Sequence, residues 1–298
     1  MVKVVAIAGT GRSGSTILDN VLGGVPGAFS VGELRYLWQR GLIERRLCGC
    51  SRPLPECEVW PGIIDEAFPA GIDPKRVVGM LSVLRTRYTP ALLLAPGWYR
   101  KRLEALVPVL DRLYREIAEQ TGARFIIDSS KLPGYVYTLG QVPSIDLRVV
   151  HLLRDPRAVA YSRGRRKEQL DTAVRRPMTR SGPTRSALDW LVWNSTIRRL
   201  FSRDEHYMQL RYEDLVTDPG AALQRILALA DAPDSTTSHV SGASVELQPN
   251  HTVSGNPGRF RTGTSDLRLD EAWRREMDPK RRRLVELITA PARRSFGY

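Results

Sequence analysis

Apolar positions along the chain switch between short unbroken runs and helical spacings. Val2-Lys3-Val4-Val5-Ala6-Ile7-Ala8 is nearly continuous and stops at Gly9, the pattern of a strand buried on both faces of a parallel sheet. From Thr16 to Leu22 apolar residues return at helical spacing, so the glycine-containing segment between them is a strand-to-helix turn. Buried runs recur at Arg124 to Asp128 and Leu147 to Leu153, with a shorter one at Met208 to Leu210 and a short second strand just before Glu33. Helical stretches separate them. This alternation predicts an α/β fold, a doubly wound parallel sheet flanked by helices.

Residues 35–120 differ in character, with a helix-forming stretch at Arg102 to Gln120 and turns at Pro53-Leu54-Pro55 and Pro69-Ala70-Gly71. They predict a helical insertion or lid over the sheet. Residues 163–186 are rich in arginine and contain glycine and proline, which reads as a mobile, solvated connection. The next helix, Ser186 to Phe201, offers Leu188, Leu191, Val192, Ile197 and Leu200 as its core face. With no internal repeat or low-complexity tail, residues 1–298 read as one domain.

Composition narrows the function. A length of 298 residues with 42% hydrophobic content suffices for one large core. No apolar run approaches the roughly 18 to 20 residues of a membrane span, and the N-terminus has neither the basic start nor the cleavage site of a signal peptide. The expectation is a cytoplasmic protein with no integral membrane association. Net charge is +13, and 39 of the 45 basic side chains are arginine. A polyanionic partner is implied, although a GC-rich genome also favours arginine over lysine. Binding of nucleic acid through the basic stripe would interleave aromatic residues with it, and Arg163 to Arg185 contains none. Nucleic acid is therefore not expected as a partner. Cys48, Cys50 and Cys57 lie within ten residues of one another, with no fourth cysteine and no histidine nearby in the chain. No metal is expected on that basis; a local disulfide stays open, and free thiols suit a reducing compartment.

Gly9-Thr10-Gly11-Arg12-Ser13-Gly14-Ser15-Thr16 follows the phosphate-loop outline of Gly, four residues, then Gly and Ser/Thr, except that Ser15 stands where a nucleotide-binding lysine would be. Backbone N–H groups at a helix N-terminus still favour a phosphate or sulfate. What is missing is the point charge that grips the β- and γ-phosphates of a nucleoside triphosphate. Arg12 offers a planar fork in its place. A second segment, Leu147 to Leu153 followed by Arg154-Asp155-Pro156, places a proline in the first turn of a helix and a capping aspartate before it.

With these two elements the chain resembles the sulfotransferases that use 3′-phosphoadenosine-5′-phosphosulfate (PAPS), most closely their bacterial branch. The resemblance implies a P-loop-type fold in which Gly11, Arg12, Ser13, Gly14, Ser15 and Thr16 hold the 5′-phosphosulfate and Arg154 and Ser162 the 3′-phosphate. It implies Glu33, after the second strand, as general base, and Lys131, in Ile127-Asp128-Ser129-Ser130-Lys131, as the cation on the transferred group, with Arg12 assisting. Tyr212, in Arg211-Tyr212-Glu213-Asp214-Leu215, is implied at the adenine site, with core packing as the competing reading. Gly255, Asn256, Arg259 and Arg261 occupy the place of the family's basic loop over the 3′-phosphate, with arginines where the eukaryotic cytosolic enzymes have lysine and glycine. His251 is an alternative base, and Asp128 an alternative magnesium ligand of a phosphotransferase. The expected reaction moves a sulfuryl group from PAPS to a hydroxyl of a small molecule, glycan or lipid, without a metal, leaving adenosine 3′,5′-bisphosphate (PAP). The competing readings are a P-loop phosphotransferase and a non-enzymatic polyanion-binding protein.

Overall fold

The computed structural model describes residues 1–172 and 176–298. Five parallel strands form the central sheet: β1 (Val2–Gly9), β2 (Ala28–Gly32), β3 (Phe125–Lys131), β4 (Ile145–Leu153) and β5 (Tyr207–Arg211), in the order β2-β3-β1-β4-β5. β1 is central because both its faces are apolar. Val4, Ala6 and Ala8 join a core shared with the insertion, while Val5 and Ile7 join a second core with Leu18, Leu22, Leu223 and Ile226. Each large aliphatic side chain buried this way contributes about 1.5–3 kcal/mol. That is why the strand tolerates only Lys3, near its edge, as a charge.

Strand order reverses beside β1, between β3 and β4, and this switch point is where ligands enter open α/β sheets. Helix α1 (Ser15–Gly23) leaves β1 there through a tight turn. The turn needs glycine at two positions. A Cβ on Gly9, at φ 138°, would sit 2.3 Å from the Leu152 carbonyl oxygen, and one on Gly14, at φ 93°, would sit 2.4 Å from the Tyr212 ring.

Between β2 and β3 the regular elements are all helical, including α2 (Trp60–Ala67) and α3 (Val107–Thr121), with irregular stretches at 44–53 and 68–73 between them. The helix predicted over Arg102 to Gln120 is interrupted: one helix ends at Leu103 and α3 restarts at Val107. Pro108 explains the break, since it lacks an N–H and its ring clashes with the carbonyl four residues back, yet it suits the first turn of a new helix.

After β4, Asp155 caps α4 (Pro156–Gly164) by accepting from the Arg157 N–H at 2.8 Å. The basic stretch that follows contains a short antiparallel pairing of Glu168–Gln169 with Arg176–Pro177; its residues 173–175 lie outside the described residues. Helix α5 (Pro183–Phe201) buries Ala187, Trp190, Trp193, Asn194, Ile197 and Phe201. Of the predicted core face, Ile197 is fully buried and Leu191, Val192 and Leu200 pack partly buried against the cores, while Leu188 is exposed. The tryptophans decide this orientation. Their larger surfaces dominate burial, and the Trp190 Nε1–H reaches the Arg154 carbonyl at 2.9 Å.

Candidate functional site

The carboxyl ends of the strands open into one cavity of about 1120 Å³. Gly11, Arg12, Gly14, Ser15 and Thr16 border it from the turn after β1. Ser13 does not; it is buried beneath the turn, 3.0 Å from the Thr10 hydroxyl. Arg12 adopts a left-handed backbone at φ 75°, a conformation that costs a non-glycine residue energy and concentrates at binding sites. Its Nη2 lies 3.2 Å from the Met178 sulfur, while its Nη1 is buried with no protein partner. Burial, and secondarily Arg163 alongside, push its pKa down. The result is a desolvated cation that an anion in the cavity would satisfy.

Glu33 and Lys131 meet at the ends of β2 and β3. Lys131 Nζ is 2.8 Å from Glu33 Oε1 and donates to the Ser129 carbonyl at 2.8 Å. Lys131 also has a left-handed backbone, φ 66°, next to a register shift between β1 and β3. Burial would raise the pKa of Glu33, but Lys131, Arg35 and Arg40 outweigh it and hold the group below its ordinary value, as a carboxylate. Behind this pair Asp19 is fully buried. Desolvation raises its pKa to about 7, against the Ser30 hydroxyl that donates to it at 2.7 Å.

The opposite side of the cavity is built on arginine. Arg154 donates to the Arg12 carbonyl and to the Asp270 carbonyl, each at 3.1 Å, and its guanidinium lies 4.3 Å from the centre of the Tyr212 ring. Tyr212 both packs against Gly14 and borders the cavity, so its two readings are compatible. Ser162, on α4, lines the same side. From the C-terminal loop come Gly255, Asn256, Arg259 and Arg261. This loop is docked on α1, where the Asn256 N–H reaches the Thr16 hydroxyl at 3.3 Å and Asn20 Nδ2 reaches the Gly258 carbonyl at 3.3 Å. Arg259 is almost wholly buried, and its Nη2 donates to the Leu47 carbonyl at 2.6 Å and its Nη1 to the Thr252 carbonyl at 2.5 Å. It holds the loop shut, whereas Arg261 stands exposed at the rim.

Two alternatives fall away from the cavity. His251 is not among its lining residues; its Nδ1 lies 3.3 Å from Cys57 Sγ instead. The chain neighbourhood of the cysteines contains no histidine, but the fold brings this one to them across 194 positions. Asp128 does not line the cavity either, because its carboxylate accepts from Tyr114 Oη at 2.5 Å and from the Ser130 N–H at 2.6 Å. Sequence reasoning missed Arg35 and Arg40, which border the cavity together with Arg163 and Lys167 of the arginine-rich stretch. No motif surrounds Arg35 or Arg40, whereas the arginine-rich stretch around Arg163 and Lys167 already pointed to an anionic ligand.

A central parallel sheet flanked by helices, with a glycine-rich turn after its middle strand, is the fold of P-loop-type sulfotransferase domains. Two solved structures share the fold. The sulfotransferase domain from the Synechococcus PCC 7002 olefin synthase has a TM-score of 0.55 at 22% identity, covering 100% of this chain and 94% of that one. The sulfotransferase domain from the curacin biosynthetic pathway has a TM-score of 0.51 at 16% identity, covering 97% and 98%. The model of the Sulfotransferase family matches residues 85–236, half of the sequence, and the chain belongs to that family. Among curated proteins it is similar to mouse (Mus musculus) carbohydrate sulfotransferase 2, 25% identical over 280 residues, covering 75% of this chain and 52% of the relative. It is also similar to mouse carbohydrate sulfotransferase 5, 28% identical over 188 residues, covering 55% and 44%. The chain thus spans about half the length of the curated relatives it matches. Among the described residues, no helix is long and apolar enough to cross a membrane.

Proposed function

We propose that this protein transfers a sulfuryl group from PAPS to a hydroxyl acceptor, with the 1–298 chain acting as a single domain. The observation that carries the reading is the buried Glu33–Lys131 pair facing the same cavity as the lysine-less phosphate turn. The donor, when bound, supplies an activated sulfuryl group whose bridging oxygen departs with the 5′-phosphate. The turn from Gly11 to Thr16 and the α1 N-terminus would hold that 5′ end, and the partnerless Arg12 Nη1 fits an anion there. Arg154, Ser162 and Arg261 would take the 3′-phosphate, with Tyr212 against the base.

Glu33 accepts the acceptor hydroxyl's proton as the oxygen attacks sulfur. Lys131 moves from its pairing with Glu33 to neutralise charge building on the bridging oxygen. The exchange has a physical logic: an ammonium that leaves the carboxylate for the donor makes Glu33 a better base when a proton must be removed. The likeness to carbohydrate sulfotransferases makes a glycan hydroxyl the first acceptor class to test.

Calorimetric titration with PAP, alongside ATP plus magnesium, tests the donor class without knowledge of the acceptor. Tight metal-independent binding of PAP, with weak binding of magnesium-ATP, is expected. The reverse result would make the protein a phosphotransferase in which Arg12 replaces the usual lysine.

A further inference from the structure

Three cysteines and a histidine converge outside the donor cavity. The ligand atoms of Cys48, Cys50, Cys57 and His251 all lie within 4.8 Å of one another. Cys48 and Cys57 are buried and the other two half-buried. We propose that these four residues bind one zinc ion in a closed, structural site that fastens the C-terminal loop to the insertion.

The donor set fits zinc chemistry. Three thiolates and one imidazole form a recognised tetrahedral combination, and at Zn–S and Zn–N lengths of about 2.3 and 2.0–2.1 Å its S···N edges come to roughly 3.5 Å and its S···S edges to roughly 3.8 Å. The separation of 3.3 Å between Cys57 Sγ and His251 Nδ1 is already near that edge. Coordination through Nδ1 leaves Nε2 as the protonated nitrogen, and the Glu58 carboxylate stands 3.6 Å from it. A carboxylate behind a ligating imidazole is a common arrangement around protein-bound zinc. The Val59 N–H is directed at Cys57 Sγ at 3.5 Å, a contact that favours thiolate. Trp60 Nε1–H donates to the His251 carbonyl at 2.7 Å and fixes the backbone from which the ring projects.

Local backbone supports the same assembly. Gly49, between two of the cysteines, donates its N–H to the Thr252 carbonyl at 2.9 Å. A Cβ at Gly49 would stand 2.0 Å from Asn250 Oδ1, so only glycine lets the cysteine loop lie this close to the histidine segment. A disulfide would engage two of the sulfurs and leave the third thiol and the imidazole without a common purpose. Four ligands from two distant segments, with no position left open, favour a metal that holds structure. The site lies a few residues before Gly255, Asn256 and Arg261, and Arg259 bridges both segments through the Leu47 and Thr252 carbonyls. Zinc would therefore brace the loop that roofs the cavity.

The test is the metal content of the full chain, purified without a histidine tag and measured by inductively coupled plasma mass spectrometry. About one zinc per chain, retained through gel filtration, is expected. Replacing it with cobalt should give the intense visible absorption of a tetrahedral thiolate complex. Cys57→Ser and His251→Ala should lose the metal, while His239→Ala, at a histidine bonded to the Val21 carbonyl on α1, should retain it. Should either ligand variant fail to fold, graded chelation of the unaltered protein gives the answer instead: release of one zinc equivalent with a fall in Tm supports the site. Only trace zinc after equilibration with the metal, or a Cys–Cys bond found by mass spectrometry of the unreduced protein, overturns it.

Discussion

The two sides of the cavity are both cationic, yet they are built for different work. On the β2–β3 side, Lys131 and Glu33 form a close pair whose charges hold each other, with Asp19 and Asp128 buried behind. On the β1–β4 side, Arg154 is fastened to two backbone carbonyls and lies against Tyr212. A lysine on a flexible stem beside a carboxylate can exchange partners, and a carboxylate can take up a proton. An arginine held by two backbone carbonyls, the Asp270 carboxylate at 3.4 Å and an aromatic ring is fixed in place, and its planar fork suits recognition of an anion rather than proton transfer. One side is suited to proton transfer and the other to recognition.

That contrast predicts separable defects. Glu33→Gln should reduce kcat by about 100-fold or more, the scale of a lost general base, while PAP affinity measured by calorimetry stays unchanged. Loss of PAP affinity in this variant would place Glu33 on the recognition side. Arg154→Ala should do the opposite, weakening PAP by about 10- to 100-fold, since a charge-assisted contact contributes about 1.5–3 kcal/mol; unchanged affinity would remove Arg154 from the phosphate site.

Gly14→Ala strains the turn that joins the two sides. The left-handed backbone alone should cost about 1–2 kcal/mol, and the Tyr212 ring must also move. A lower Tm together with weaker PAP binding is expected, and an unaltered Tm would show that the turn relaxes freely. The smallest effect concerns pH. Because Lys131, Arg35 and Arg40 overcome the effect of burial and depress the Glu33 pKa, this base is already ionised above the usual carboxylate range. Its acid limb in kcat/KM should lie below that range, leaving the profile flat with respect to Glu33 from about pH 5 to 8. A limb near neutrality would instead point to Asp19, whose pKa burial raises to about 7.

The strands, the turn after β1 and the cap at Asp155 were legible because each depends on neighbours within a few positions. An apolar run, a glycine at a left-handed position and a proline in a first turn carry their physical meaning locally. The same locality explains where reading failed. On α5, Trp190 and Trp193 take buried positions that the aliphatic pattern did not single out, and Leu188 is exposed, because the choice depends on what lies opposite, including the Arg154 carbonyl. Arg259 and Arg261 look interchangeable in sequence, yet one is sealed against the Leu47 and Thr252 carbonyls and the other is exposed.

The sequence by itself determined the α/β order, the glycine-rich turn after β1 and the family resemblance, since short-range patterns encode them. Only the tertiary structure decided that Glu33 meets Lys131 across 2.8 Å, that Arg35, Arg40, Arg163 and Lys167 join the cavity, and that His251 reaches three cysteines 194 or more positions away. These are meetings between distant segments, and they are set by strand order and packing, which no local pattern specifies.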